Sequence, residues 1–133
     1  MIETSAAPQS IVIPAVPEAV KQARDFVAKA FGAWGLEDYI ARTVVSELAT
    51  NAVRHGSADS DPVIVRAYLL GGRPVVEVWD RSDALPAVRP EHFAAESGRG
   101  LLLLDQLVPC WGTRPLVEGG KVVWAELEPV PAV

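Results

Sequence analysis

The stretch Val45-Ser-Glu47-Leu-Ala-Thr-Asn51-Ala-Val-Arg54-His55-Gly56 carries a carboxylate, an amide, a guanidinium and an imidazole at helical spacing. Residues four apart on a helix are neighbours, so Glu47, Asn51 and His55 are expected to stack along one edge, with Arg54 beside them. Polar rows of this kind are most often a solvated face. Here Val44, Val45, Leu48, Ala49, Ala52 and Val53 flank the row closely, which predicts that it lines the edge of a core or cleft. Its chemistry suits a metal ion with phosphate. A carboxylate and an amide oxygen fit a hard cation, while arginine and histidine fit phosphate oxygens.

On the N-terminal side, residues 1–9 read as a loose arm and Ser10 to Ile13 as a short strand closed by Pro14. Pro17 suits the first turn of a helix running to Ala33, with Gly32 and Gly35 to stop it. That helix is expected to bury Val20, Ala23, Phe26, Val27 and one of Ala30 or Phe31. The helix bearing the polar row then starts near Glu37 and ends at Gly56.

Beyond a polar loop at Ser57 to Asp61, the pattern changes from helix to sheet. Val63 to Leu70 and Val75 to Asp80 are strand candidates joined by Gly71-Gly72, a hairpin signal. Arg81 to Ser97, with Pro86 and Pro90, reads as a loop with a helical turn near Glu91 to Ala95. Gly98-Arg99-Gly100 precedes a leucine-rich helix, Leu101 to Leu107, ended by Pro109. A second hairpin runs from Cys110 to Val117 and from Lys121 to Leu127, and the proline-rich tail from Glu128 is expected to fray. The chain thus divides into an arm (1–9), one domain (10–128) and a tail (129–133).

Strand alternation places Val65, Ala67, Leu69, Val76, Val78, Asp80, Val123, Ala125 and Leu127 on one face, under the helices. The opposite face holds Arg66, Tyr68, Glu77, Trp79, Trp124 and Glu126 and reads as half-wet. Trp79 and Trp124 are candidates there for contact with another protein or a second copy of the chain. Asp80 breaks the apolar pattern of the covered face. It either begins a turn or stands at the mouth of a pocket, ready to accept a hydrogen bond from a ligand amine.

At 133 residues the chain is long enough for one domain with a real core, and half of its residues are apolar. No apolar run approaches membrane-spanning length, and the N-terminus lacks a signal-peptide pattern, so a soluble cytoplasmic protein is expected. The single cysteine, Cys110, rules out an internal disulfide and is expected to pack as a small hydrophobe. Two histidines, His55 and His92, argue against a histidine-rich zinc site. A net charge of −5 argues against direct binding to nucleic acid.

Glu47 and Asn51 on a helix, Asp80 at a strand end, and Gly98-Arg99-Gly100 before a later helix form an ordered constellation. Glycines at such a turn let backbone N–H groups approach phosphates, and a helix N-terminus favours negative charge. From about Ile11 to Leu127 the chain resembles the Bergerat-fold, or GHKL, ATP-binding family shared by gyrase, histidine kinases and bacterial anti-sigma-factor kinases. It is most similar to the small stand-alone anti-sigma regulatory kinases, through Val45 to Gly56, Val76-Glu-Val-Trp-Asp80-Arg-Ser82, Gly98-Arg-Gly100-Leu101 and Gly120-Lys121-Val-Val-Trp124.

That resemblance implies an α+β, two-layer sandwich with a mixed, mostly antiparallel sheet and helices on one face. It implies ATP and Mg2+ as cofactors, with Asn51 on the metal, Glu47 as general base and Arg54 and His55 toward phosphates or ribose. Asp80 would receive the adenine amino group, and Gly98, Arg99 and Gly100 would border the phosphates. The implied partners are a sigma factor and a STAS-type anti-anti-sigma protein; a homodimer is a further possibility through Trp79 and Trp124, and the lack of a long apolar run predicts no membrane partner. The resemblance departs at the adenine end, where Arg81-Ser82-Asp83-Ala84 replace the usual glycines and Lys121 replaces the usual threonine. Two functions follow: a serine/threonine protein kinase that also sequesters a sigma factor, or a non-catalytic partner-switching module with weak or no nucleotide binding.

Overall fold

The computed structural model describes residues 7–56, 61–81, 103–117 and 119–133. Strands β1 (Gln9–Ile13), β2 (Val63–Leu70), β3 (Arg73–Asp80), β4 (Cys110–Pro115) and β5 (Lys121–Glu126) form one sheet in the order β1-β2-β3-β5-β4. Every ladder between these strands is antiparallel. Helices α1 (Val20–Ala33) and α2 (Tyr39–Asn51) pack on one face of the sheet, giving the expected two-layer α+β architecture.

Local chemistry sets most boundaries. After a 3-10 turn at Pro17–Ala19, α1 runs to a left-handed Gly35, φ 74°. Leu36 N–H donates to Phe31 C=O at 2.9 Å and Gly35 N–H to Gly32 C=O at 3.0 Å, the paired bonds of a Schellman stop. Glu37 opens α2 from outside it, its Oε1 accepting from the Asp38 and Tyr39 N–H groups at 2.9 and 3.0 Å. A carboxylate there satisfies orphan donors and meets the positive end of the helix dipole. Gly71 and Gly72 both have positive φ, 60° and 82°, as a two-residue hairpin of primed type requires.

The two layers meet along an aliphatic seam. Ile13, Val65, Val76, Val78 and Ala125 from the sheet pack against Val27, Phe31, Val44, Val45, Leu48 and Ala49 from the helices, all buried. Phe26 is only half-buried, whereas both Ala30 and Phe31 are buried. Residues 103–107 are helical, Leu104 is buried in the core, and Val108 N–H donates to its carbonyl at 3.1 Å.

Three expectations are corrected. Strand β3 begins at Arg73 rather than Val75, because Pro74 needs no donor there and its carbonyl accepts from Leu127 N–H at 2.8 Å. Cys110 is exposed, since it opens β4 at the edge of the sheet. The tail does not fray: Glu37 N–H donates to Val130 C=O at 2.7 Å, Ala132 N–H to Gly35 C=O at 2.9 Å, and Leu36 pairs with Pro131.

The sheet face away from the helices is a polar network. Glu77, 2% exposed, accepts from Tyr68 Oη at 2.7 Å, Trp79 Nε1 at 2.8 Å and Arg66 Nη1 at 3.2 Å. The Arg66 guanidinium also lies over the Tyr68 and Trp79 rings, 5.7 and 5.4 Å from their centroids. Trp124 covers Gly112, where an added Cβ would come within 2.9 Å of the indole. Trp79 and Trp124 are therefore half-buried and engaged within the sheet.

Candidate functional site

Helix α2 places Glu47 and Asn51, both half-buried, at the margin of a core that holds Val44, Val45, Leu48 and Ala49. Of the polar row, Glu47 and Asn51 thus stand beside the buried apolar residues of the same helix. Past Asn51 the helix widens into a π-helical turn, Ala52–Gly56, with Ala52 still buried and Arg54 exposed. Such a turn closes i→i+5 rather than i→i+4. Turns of this kind occur mostly as single insertions in helices, frequently at functional sites. The His55 side chain lies outside the described residues, as do Gly98, Arg99 and Gly100.

Strand β3, which ends at Asp80, packs against both α2 and the π turn. Asp80 is buried on the helix-facing side of the sheet. Its partner is one that motif reading alone does not supply. Lys121 stands opposite it in the β3–β5 register, and Lys121 Nζ donates to Asp80 Oδ1 at 3.0 Å, with the side chains 7% and 2% exposed. The preceding residue, Gly120, has φ 93° and lies so close that an added Cβ would be 2.4 Å from the Asp80 carbonyl oxygen. The available signal was the cross-strand register of β3 and β5, which sets Asp80 against Lys121.

The two ends of the site differ in chemistry. At the α2 end, a carboxylate, an amide and a guanidinium fit a magnesium ion with phosphate oxygens. Among the described residues no cluster of three or more His, Cys, Asp or Glu side chains could hold a metal by itself. At the β3 end, the Asp80 carboxylate is already engaged by the Lys121 ammonium group. An open cavity of about 470 Å³ lies beside Asp80, lined by Ile64, Trp79, Arg81, Leu116 and Gly119 among others. Glu47, Asn51 and Arg54 do not line it, so it is distinct from the α2 edge.

The family model of the histidine kinase-like ATPase domain matches residues 13–126, which takes in α1, α2 and β2 to β5, with only Ile13 of β1. No curated protein is detectably similar in sequence. Among solved structures, the chain is similar to "The crystal structure of the RsbU and RsbW domains of Rv1364c from Mycobacterium tuberculosis", with a TM-score of 0.67 and 22% identity. The match covers 96% of this chain and 35% of that one. At that identity the likeness concerns the fold, and it agrees with the two-layer architecture described above. No helix among the described residues is long and apolar enough to cross a membrane.

Proposed function

Because the chain belongs to the histidine kinase-like ATPase domain family, we propose that it is an ATP-binding regulatory protein of the anti-sigma-factor kinase type. The observation that carries this reading is the α2 edge: Glu47 and Asn51 half-buried beside the core, leading into a π turn that bears the exposed Arg54 and packs on β3. In this reading Asn51 holds magnesium and Arg54 meets phosphate oxygens. Glu47 orients or deprotonates the hydroxyl of a serine on a STAS-type partner. ATP, when bound, supplies the phosphoryl group. The family resemblance supports a sigma factor as the second partner, and a cytoplasmic location goes with that role. His55, Gly98, Arg99 and Gly100 belong to the phosphate side of the same reading.

The test is transfer of labelled phosphate from ATP with Mg2+ to a candidate STAS-type protein, located by mass spectrometry. A phosphoserine on the partner is expected, with transfer reduced by about 10²-fold or more in Glu47→Ala, the usual contribution of a positioned acid–base group. Full transfer by Glu47→Ala would remove that residue from the chemistry. A second reading, a partner-switching module that works by contact alone, is favoured by one observation, the Lys121–Asp80 ion pair. Calorimetry separates the two, since binding of ATP with Mg2+ that Asn51→Ala abolishes counts against a nucleotide-independent module.

A further inference from the structure

Lys121 and Asp80 are cross-strand partners on the helix-facing side of the sheet, and both side chains are almost wholly buried. Lysine ammonium groups are strongly hydrated and almost never buried unless paired. Here the charge is met by Asp80 Oδ1 at 3.0 Å. The backbone reinforces the pairing. Gly120, at φ 93°, presses against the Asp80 carbonyl and Arg81 Cα, so the 120–121 segment holds both the main chain and the carboxylate of Asp80.

We propose that Lys121 is a specificity-determining residue, an internal cation that competes with the amino group of an adenine base for Asp80 and so sets the site's affinity for adenine nucleotides. The proposal rests on the reading of Asp80 as the base-recognising carboxylate. A neutral exocyclic amine brings no charge to that carboxylate, whereas the lysine ammonium brings a full one. Charge-assisted hydrogen bonds are roughly twice as strong as neutral ones. A ligand that displaces Lys121 also leaves a buried ammonium without its anion, which is costly in a poorly solvated site. Adenine therefore binds against an ion pair already in place, and the energy of the phosphate end has to offset it. Replacing Lys121 by an uncharged side chain removes this charged competitor for the carboxylate.

Calorimetric titration of ADP and of inosine diphosphate, each with Mg2+, into the wild type, Lys121→Thr, Lys121→Met and Asp80→Asn tests this, with folding of each variant checked by circular dichroism. Inosine carries a carbonyl where adenosine carries the amine. The expected result is ADP binding at least about tenfold tighter in both Lys121 variants, a change of roughly 1.4 kcal/mol, with no gain for inosine diphosphate. An equal gain for both ligands would overturn the proposal, because the effect would not act at the amine. Wild-type affinity matching that of the Lys121 variants, with binding lost in Asp80→Asn, would overturn it while leaving the nucleotide reading standing. No binding of ADP by any form would overturn both. The unsubstituted protein provides an independent arm through the nitrogen resonance of the Lys121 ammonium. It is expected to shift on saturation with ADP and to stay in place with inosine diphosphate; an unmoved resonance at saturating ADP overturns the competition.

Discussion

At Tyr68 the helix-free face of the sheet has a measurable pH dependence. Its phenol donates to buried Glu77, and its pKa is pushed up from 10.0 to about 12, first by burial and then by the hydrogen bond and negative charge of that carboxylate. Arg66 and Arg114 pull the other way without prevailing. Since the folded state holds the proton more tightly than the unfolded chain, this group's contribution is complete below pH 10.0 and is lost as pH rises toward about 12. Tyr68→Phe removes the titration along with one hydrogen bond, a penalty of about 1 kcal/mol at neutral pH. Urea denaturation at stepped pH is expected to show wild type above Tyr68→Phe up to pH 10.0, with the gap closing toward about pH 12. A gap that stays constant would mean that the phenol does not titrate against Glu77. Sequence alternation puts Tyr68 and Glu77 on one face; it does not show that Glu77 is buried there while accepting hydrogen bonds from Tyr68, Trp79 and Arg66.

Between β4 and β5 the turn uses two glycines for different reasons. Gly119 and Gly120 have φ of 97° and 93°, a region L side chains rarely adopt, but only Gly120 is crowded, by the Asp80 carbonyl and Arg81. A Cβ at Gly119 meets nothing within 4 Å. Gly119→Ala is therefore expected to cost only backbone strain, about 1–2 kcal/mol. Gly120→Ala adds displacement of the β3 end and should cost about 3 kcal/mol or more. Thermal unfolding of the two variants, compared at equal pH, checks the order; equal losses would show that the close approach to β3 is not what requires glycine. Glycine pairs were the most readable boundaries in the chain, because positive φ leaves few residue choices. The π turn after Asn51 was not readable, since Ala52-Val53-Arg54 suits an α-helix as well, and the extension of β3 through Pro74 depends on a carbonyl contact from Leu127.

Over the whole molecule, what could be read in advance was the layering, because valine and alanine alternation assigns each strand a covered face and helical spacing assigns α1 and α2 an apolar side. The half-buried position of Glu47 and Asn51 beside the core was readable for the same reason, while the Lys121–Asp80 ion pair required the register of strands far apart in sequence. Least readable was the return of the C-terminal segment, whose prolines carry no period. Its contacts are backbone bonds from Glu37 to Val130 and from Ala132 to Gly35, with Leu36 paired to Pro131, so it straps the turn between α1 and α2. Each such bond contributes about 1 kcal/mol, while fixing each ordered residue costs about 1–2 kcal/mol, so the strap stabilises the fold little on balance. A chain ending at Leu127 is accordingly expected to lose less than about 1 kcal/mol in urea denaturation. Its local effect is large by comparison. The Glu37 amide, which donates to Val130 at 2.7 Å, should lose its protection from hydrogen exchange, while amides of β3 keep theirs. Retained protection at Glu37 in the shortened chain would show that the capping of α2, and not the strap, orders this turn.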